Sequence, residues 1–77
     1  MKVLAKSWGK EVVLNSGLRL YWNSKKETMT VDRSCVLEPR RKDPKILKIL
    51  EKYGHGKVVV NQITEDKLNS IIQWFNS

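Results

Sequence analysis

The 77-residue chain holds one cysteine, one histidine and one phenylalanine, and each scarcity removes a class of function. Cys35 alone cannot form an internal disulfide, so the fold must be held by its core. A lone thiol, with no apolar leader at the start of the chain, leads to the expectation of a reducing, cytoplasmic setting. His55 and Cys35 together fall short of a His/Cys zinc site, so no metal or cofactor is expected. No apolar run approaches the roughly 18 residues that a membrane span needs, so no membrane partner is expected either. Internal repeats and low-complexity segments are missing as well. Acids are the last shortage. Eight Asp and Glu face fifteen Lys and Arg, for a net charge of +7.

Apolar residues make up 40% and charged residues 30%, the balance of a globular chain. A length of 77 residues leaves room for one domain and one core, near the lower limit of independent stability. One domain over 1–77 is therefore expected, with a β-rich half (1–33), a linker (34–42) and a helix–strand–helix half (43–77).

The β-rich half rests on period-2 alternation. Leu18, Leu20 and Trp22 alternate with Arg19 and Tyr21, and Asn23-Ser24-Lys25-Lys26 supplies polar turn residues. Alternation resumes from Glu27 to Arg33 with Met29 and Val31 on the apolar side, which predicts a hairpin. Upstream, Val3 to Trp8 and Val12 to Leu14 read as two further strands, with Gly9-Lys10 separating them. In the second half, Asp43 is a helix N-cap and Pro44 suits the first helical position, where its missing N–H costs nothing. Ile46, Ile49, Leu50 and Tyr53 then recur at i, i+3, i+4, i+7, and Gly54 stops the helix. Lys57-Val58-Val59-Val60 is a β-branched run, better as a central strand than as helix, and is expected to join or flank the sheet. Thr64 caps a second helix that carries Leu68, Ile71, Ile72 and Phe75 at the same spacing. Glu38-Pro39 forces extended backbone in the linker. The expected fold class is α+β: a small antiparallel β-meander packed against two helices, in the order β-β-β-β-α-β-α.

Seven of the fifteen basic residues lie between Arg40 and Lys57: Arg40, Arg41, Lys42, Lys45, Lys48, Lys52 and Lys57. Only Asp43 and Glu51 oppose them. At about 100° per residue, Lys45, Lys48 and Lys52 share a stripe of about 60° away from the apolar face. Arg40, Arg41 and Lys42 precede that ridge. Such an array suits the phosphate backbone of DNA or RNA, whose condensed counterions it would displace. A solvated outer helix face has the same pattern, and an acidic protein would suit it too. Arg19 and Tyr21 extend the candidate surface, because a ring beside basic groups can stack an unpaired base. The alternative is that Tyr21 packs beneath a helix and Trp22 faces solvent. Trp8 and Trp74 read as core or core-edge residues.

No complete catalytic motif is present, and a non-enzymatic function is expected. Gly54-His55-Gly56-Lys57 lacks the GxxxxGK[ST] pattern and follows a helix, the reverse of a phosphate-binding loop. It also fails the KH-type GxxG pattern. One enzymatic alternative stays open: a small ribonuclease using His55 with Lys57, Arg40 and Arg41 for acid–base work and phosphate stabilisation.

Arg41-Lys42-Asp43-Pro44, followed by Ile46, Leu47, Ile49 and Leu50 and closing on Glu51-Lys52-Tyr53-Gly54, resembles a segment of small bacteriophage and prophage accessory proteins. In those proteins a basic residue precedes Asp-Pro, and an aliphatic helix ends in Glu-x-x-Gly. The loop after Gly54 is shorter here, and Ile63-Thr64-Glu65-Asp66 enters a helix instead of an acidic extended segment. The resemblance implies an accessory protein acting on a host macromolecule. It carries over no catalytic residues.

Overall fold

Alternating apolar residues shape the first 32 positions into four strands in the computed structural model, which describes residues 1–36 and 43–76. They are β1 (Lys2–Lys6), β2 (Gly9–Val13), β3 (Arg19–Asn23) and β4 (Thr28–Asp32), followed by α1 (Pro44–Tyr53), β5 (Lys57–Val60) and α2 (Glu65–Asn76). The sheet has five strands in sequence order, every neighbouring pair antiparallel. The expected α+β class and the order β-β-β-β-α-β-α are those of the molecule. The linker step Glu38-Pro39 and the basic triplet Arg40, Arg41 and Lys42 lie outside the described residues.

Registration sorts the side chains onto two faces, because directly opposed residues share a face. Val12, Leu20, Val31 and Val58 form one apolar row across β2 to β5. Trp22, Met29 and Val60 form the next. With Leu18, Ile46, Leu50, Ile63 and Leu68 these rows make one core cluster, which also takes in Val36 from the turn after β4. The helices therefore cover the face that bears Leu20 and Trp22, and Tyr21 lies on the other. Which face would be buried was open in the sequence. It is decided by the helices, whose apolar stripes need a partner surface.

Local chemistry ends the helices where expected. The Asp43 carboxylate accepts from the Lys45 N–H at 3.0 Å, with Pro44 at the first position. Gly54, at φ +74°, donates its N–H to the Leu50 carbonyl at 2.7 Å. Thr64 Oγ1 accepts from the Lys67 N–H at 3.2 Å. Across the core, Trp22 Nε1 donates to the Ile63 carbonyl at 2.7 Å, tying the centre of β3 to the segment that starts α2.

Three details depart from the sequence reading. Gly9 and Lys10 do not separate β1 from β2; they belong to β2, and the turn is Ser7-Trp8. Gly9 stands at φ +152°, and a Cβ there would sit 1.9 Å from the Trp22 carbonyl oxygen. The glycine serves a close strand approach, not a turn. The valine run of β5 joins the sheet at its edge beside β4, the flanking place the sequence allowed and not the central one its β-branched run favours, with Val59 on the uncovered face at 59% exposure. Trp8 and Trp74 are both surface rings, at 38% and 47% exposure, while Trp22 is the buried tryptophan.

Candidate nucleic-acid interface

The uncovered sheet face follows directly from the register. Its central row is Leu4, Glu11, Tyr21, Thr30 and Val59, each opposite the next. One row along β3 in one direction comes Lys2, Val13, Arg19, Asp32 and Lys57; in the other come Lys6, Gly9, Asn23 and Thr28. This face thus sets four basic side chains against two acids.

Trp8 joins the face from the β1–β2 turn. Its carbonyl accepts from the Ser24 N–H at 2.9 Å and the Ser24 hydroxyl at 3.3 Å, which fastens that turn to the β3–β4 turn. The Trp8 ring consequently stands beside Tyr21, with centroids 6.3 Å apart and planes at 50°. Next to the pair is a shallow concavity of about 520 Å³ bounded also by Asn23, Lys26, Thr30 and Val59. Asn23 Oδ1 accepts from the Lys25 and Lys26 N–H groups, both at 3.0 Å, so the carbonyl oxygen is committed to the turn. The amide NH₂ is the group that Asn23 offers to a ligand.

Arg19 adds a fixed charge. Hydrogen bonding to Tyr21 first, and the field of Cys35 second, raise its pKa above the ordinary guanidinium value. Its Nε is covered and has no hydrogen-bond partner among the described residues, so any charge it offers a ligand comes from the rest of the guanidinium.

Asp32 lies between Arg19 on β3 and Lys57 on β5. It is held by Ser34, whose hydroxyl donates at 2.5 Å and whose N–H donates at 3.1 Å. The Ser34 hydroxyl is the main cause of a carboxyl pKa below the ordinary 3.8; burial opposes the shift, and Lys57 and Arg19 add to it. A folded-state pKa below the unfolded one gives stability that is fully present above the unfolded value. That stability is lost as pH falls through the depressed folded value. Thermal unfolding followed by circular dichroism from neutral pH to about pH 2 is expected to show this loss below the ordinary carboxyl pKa. Ser34→Ala should make the acid limb shallower.

The wider candidate surface is divided by the fold, while the Lys45, Lys48 and Lys52 ridge stays together on α1. Lys48 and Lys52 are exposed on α1, in the helix layer. Lys45 is half-buried: its Nζ donates to the Trp74 carbonyl at 2.5 Å and lies 5.3 Å from the Trp74 ring centroid. Lys52 Nζ lies 5.2 Å from the Tyr53 ring centroid. Arg19, Tyr21 and Lys57 occupy the open sheet face, on the far side of the sheet from α1. Arg40, Arg41 and Lys42 are outside the described residues. The structure therefore gathers Arg19, Tyr21 and Lys57 on one surface and leaves Lys45, Lys48 and Lys52 on another.

Sequence reasoning missed Trp8, Asn23 and Lys26 as members of the open face. The legible signal was the odd-numbered set around Tyr21, which Asn23 shares at period 2. Trp8 gave none, because its place depends on the turn being Ser7-Trp8. His55 is exposed in the loop before β5. Beneath that loop the Arg33 N–H and Nε both donate to the Gly56 carbonyl, at 2.7 and 3.1 Å. Among the described residues no group of three or more His, Cys, Asp or Glu could hold a metal ion. No described helix is long and apolar enough to cross a membrane.

The chain matches no family model, no curated protein and no solved structure.

Proposed function

We propose that this protein is a small, basic, non-enzymatic domain that binds single-stranded nucleic acid on its open sheet face. The observation that carries the reading is the Trp8–Tyr21 pair on an uncovered sheet, beside a concavity of mixed apolar and polar lining, with Arg19, Lys26 and Lys57 on the same face. Rings supply stacking surfaces to unpaired bases, and the cations track the backbone. Asn23 and the threonine hydroxyls are short, so they reach base edges laid on the sheet without fixing one sequence. A cytoplasmic accessory role of phage or mobile-element type is part of the proposal and rests on the resemblance of residues 41–54 alone.

The test is fluorescence anisotropy with labelled oligothymidylate, oligouridylate and a DNA duplex of equal length. Both single strands are expected to bind more tightly than the duplex. Contact with about four phosphates through Lys6, Arg19, Lys26 and Lys57 predicts a slope of log K against log salt near −3. Equal binding of duplex and single strand, or a salt slope near zero, would reject the reading. If affinity followed Lys48→Glu with Lys52→Glu instead of Tyr21→Ala, the contact would be the α1 ridge and not the sheet.

A further inference from the structure

The helix layer carries a second feature that nucleic-acid binding on the sheet does not use. Between α1 and α2 runs a cleft of about 280 Å³, floored by Met29, Val31, Val58 and Val60 and walled by Ile49 and Ile71. Lys45 at the start of α1 meets Trp74 near the end of α2, which closes one end of the cleft. Tyr53 and Trp74 border the cleft at 44% and 47% exposure. Apolar groups around such an opening are costly to leave against water, and a concave apolar slot is a shape that binding fills.

The charge on its borders says what kind of occupant fits. At about 100° per residue, Ile49, Lys45 and Lys52 share one flank of α1 within about 60°. On α2, Ile71, Lys67 and Trp74 share the facing flank within about 60°. Lys67 lines the cleft itself, and the Lys45 and Lys52 ammonium groups each rest on one of its bordering rings. Glu51 and Glu65 lie about 100° or more from those flanks, and Asp66 lies about 80° from the nearer edge of the α2 flank. Glu65 points instead toward Lys10 of β2, at 3.9 Å. An apolar slot with lysines on both borders and no acid among its described lining residues is complementary to an apolar stripe with acidic borders.

Length narrows the occupant further. The walls are helices of 10 and 12 residues, about 15 and 18 Å long at 1.5 Å per residue. A helix that presents apolar side chains at i, i+3, i+4 and i+7 spans about 10 Å along its axis, shorter than either wall. We infer that the α1–α2 cleft is a docking groove for an acidic amphipathic helix of a protein partner. A single chain would then carry nucleic acid on one sheet face and a protein on the opposite side.

The test uses the full chain and fluorescein-labelled peptides of about fourteen residues. One peptide places Leu at i, i+3, i+4 and i+7 with Glu on the flanks; a second keeps the leucines and replaces Glu by Lys; a third scrambles the first. The acidic peptide is expected to bind at least about tenfold more tightly than the other two, a difference of about 1.4 kcal/mol. Lys52→Glu with Lys67→Glu should weaken it by about tenfold and improve the basic peptide, while oligothymidylate binding stays within about twofold. Both lysines are exposed, so the variant is expected to fold, and unchanged oligonucleotide binding verifies it. Equal binding of acidic and scrambled peptides, or no effect of the charge reversal, would overturn the assignment. So would tight binding of laurate that excludes the acidic peptide, which would make the cleft a site for a small amphiphile. Concentration-dependent self-association that buries the cleft would assign it to a second copy of the chain and overturn it likewise.

Discussion

Trp8→Ala combined with Tyr21→Ala is expected to lower affinity for oligothymidylate by about thirtyfold or more, with little loss of stability. Stacking of one base on one ring is worth about 1–3 kcal/mol by alanine substitution. The two rings touch one surface with centroids 6.3 Å apart, so their effects will not add independently. About 2 kcal/mol for the pair is a conservative figure, and 1.4 kcal/mol is one decade in affinity. Tyr21→Phe keeps the stacking plane and removes the hydroxyl that interacts with Arg19, so it should stay within about threefold of the parent. Neither ring belongs to the core cluster. The double variant should therefore keep its far-ultraviolet dichroism and most of its melting temperature. An affinity within twofold of the parent in a folded double variant would remove the stacking platform from consideration. The salt dependence adds an independent check, because losing rings should shift the line while leaving its slope.

The parts of the fold that were legible in the sequence are those fixed by neighbours in the chain. Asp43, Pro44, Gly54 and Thr64 bound their helices through contacts within a few residues, so the caps could be read directly. The alternation around Leu20 and Trp22 gave strands, but period 2 is symmetric between faces. Only the docking of α1 and α2 broke that symmetry. Gly9 looked like punctuation because most loop glycines are, yet its reason is the Trp22 carbonyl thirteen positions away. Lys45 belonged on the solvated ridge by its helical angle. Trp74, twenty-nine residues on, takes up its ammonium instead. The candidate site was legible in its chemistry and not in its grouping. Arg19, Tyr21 and Lys57 share a face because three strands pair in one register, which is a non-local fact.

Trp22→Ala is expected to be the most destabilising single substitution in the sheet. The ring is 5% exposed, and deleting a buried aromatic typically costs 3–5 kcal/mol. A 77-residue chain holds on the order of 4–12 kcal/mol of total stability at the usual value per residue. The variant should therefore lose between about a quarter and all of its stability. Trp22→Phe separates two causes. It retains most of the buried ring but withdraws the N–H that bonds the Ile63 carbonyl at 2.7 Å. Ile63 is 1% exposed, so its carbonyl would be left without a donor in an apolar setting, at a cost of about 1–3 kcal/mol. At about 4–8 °C per kcal/mol for a domain of this size, the melting temperature should fall by about 4–24 °C. Urea unfolding followed by circular dichroism measures the loss directly. A Trp22→Phe variant within about 0.5 kcal/mol of the parent would mean that water or backbone movement satisfies Ile63. Hydrogen exchange gives the location. Because the bond joins β3 to the residues that lead into α2, protection in α2 should drop more than protection in β2 and β3. The same variant should weaken the acidic peptide, whose groove has α2 as one wall, while the Trp8–Tyr21 face continues to bind oligothymidylate.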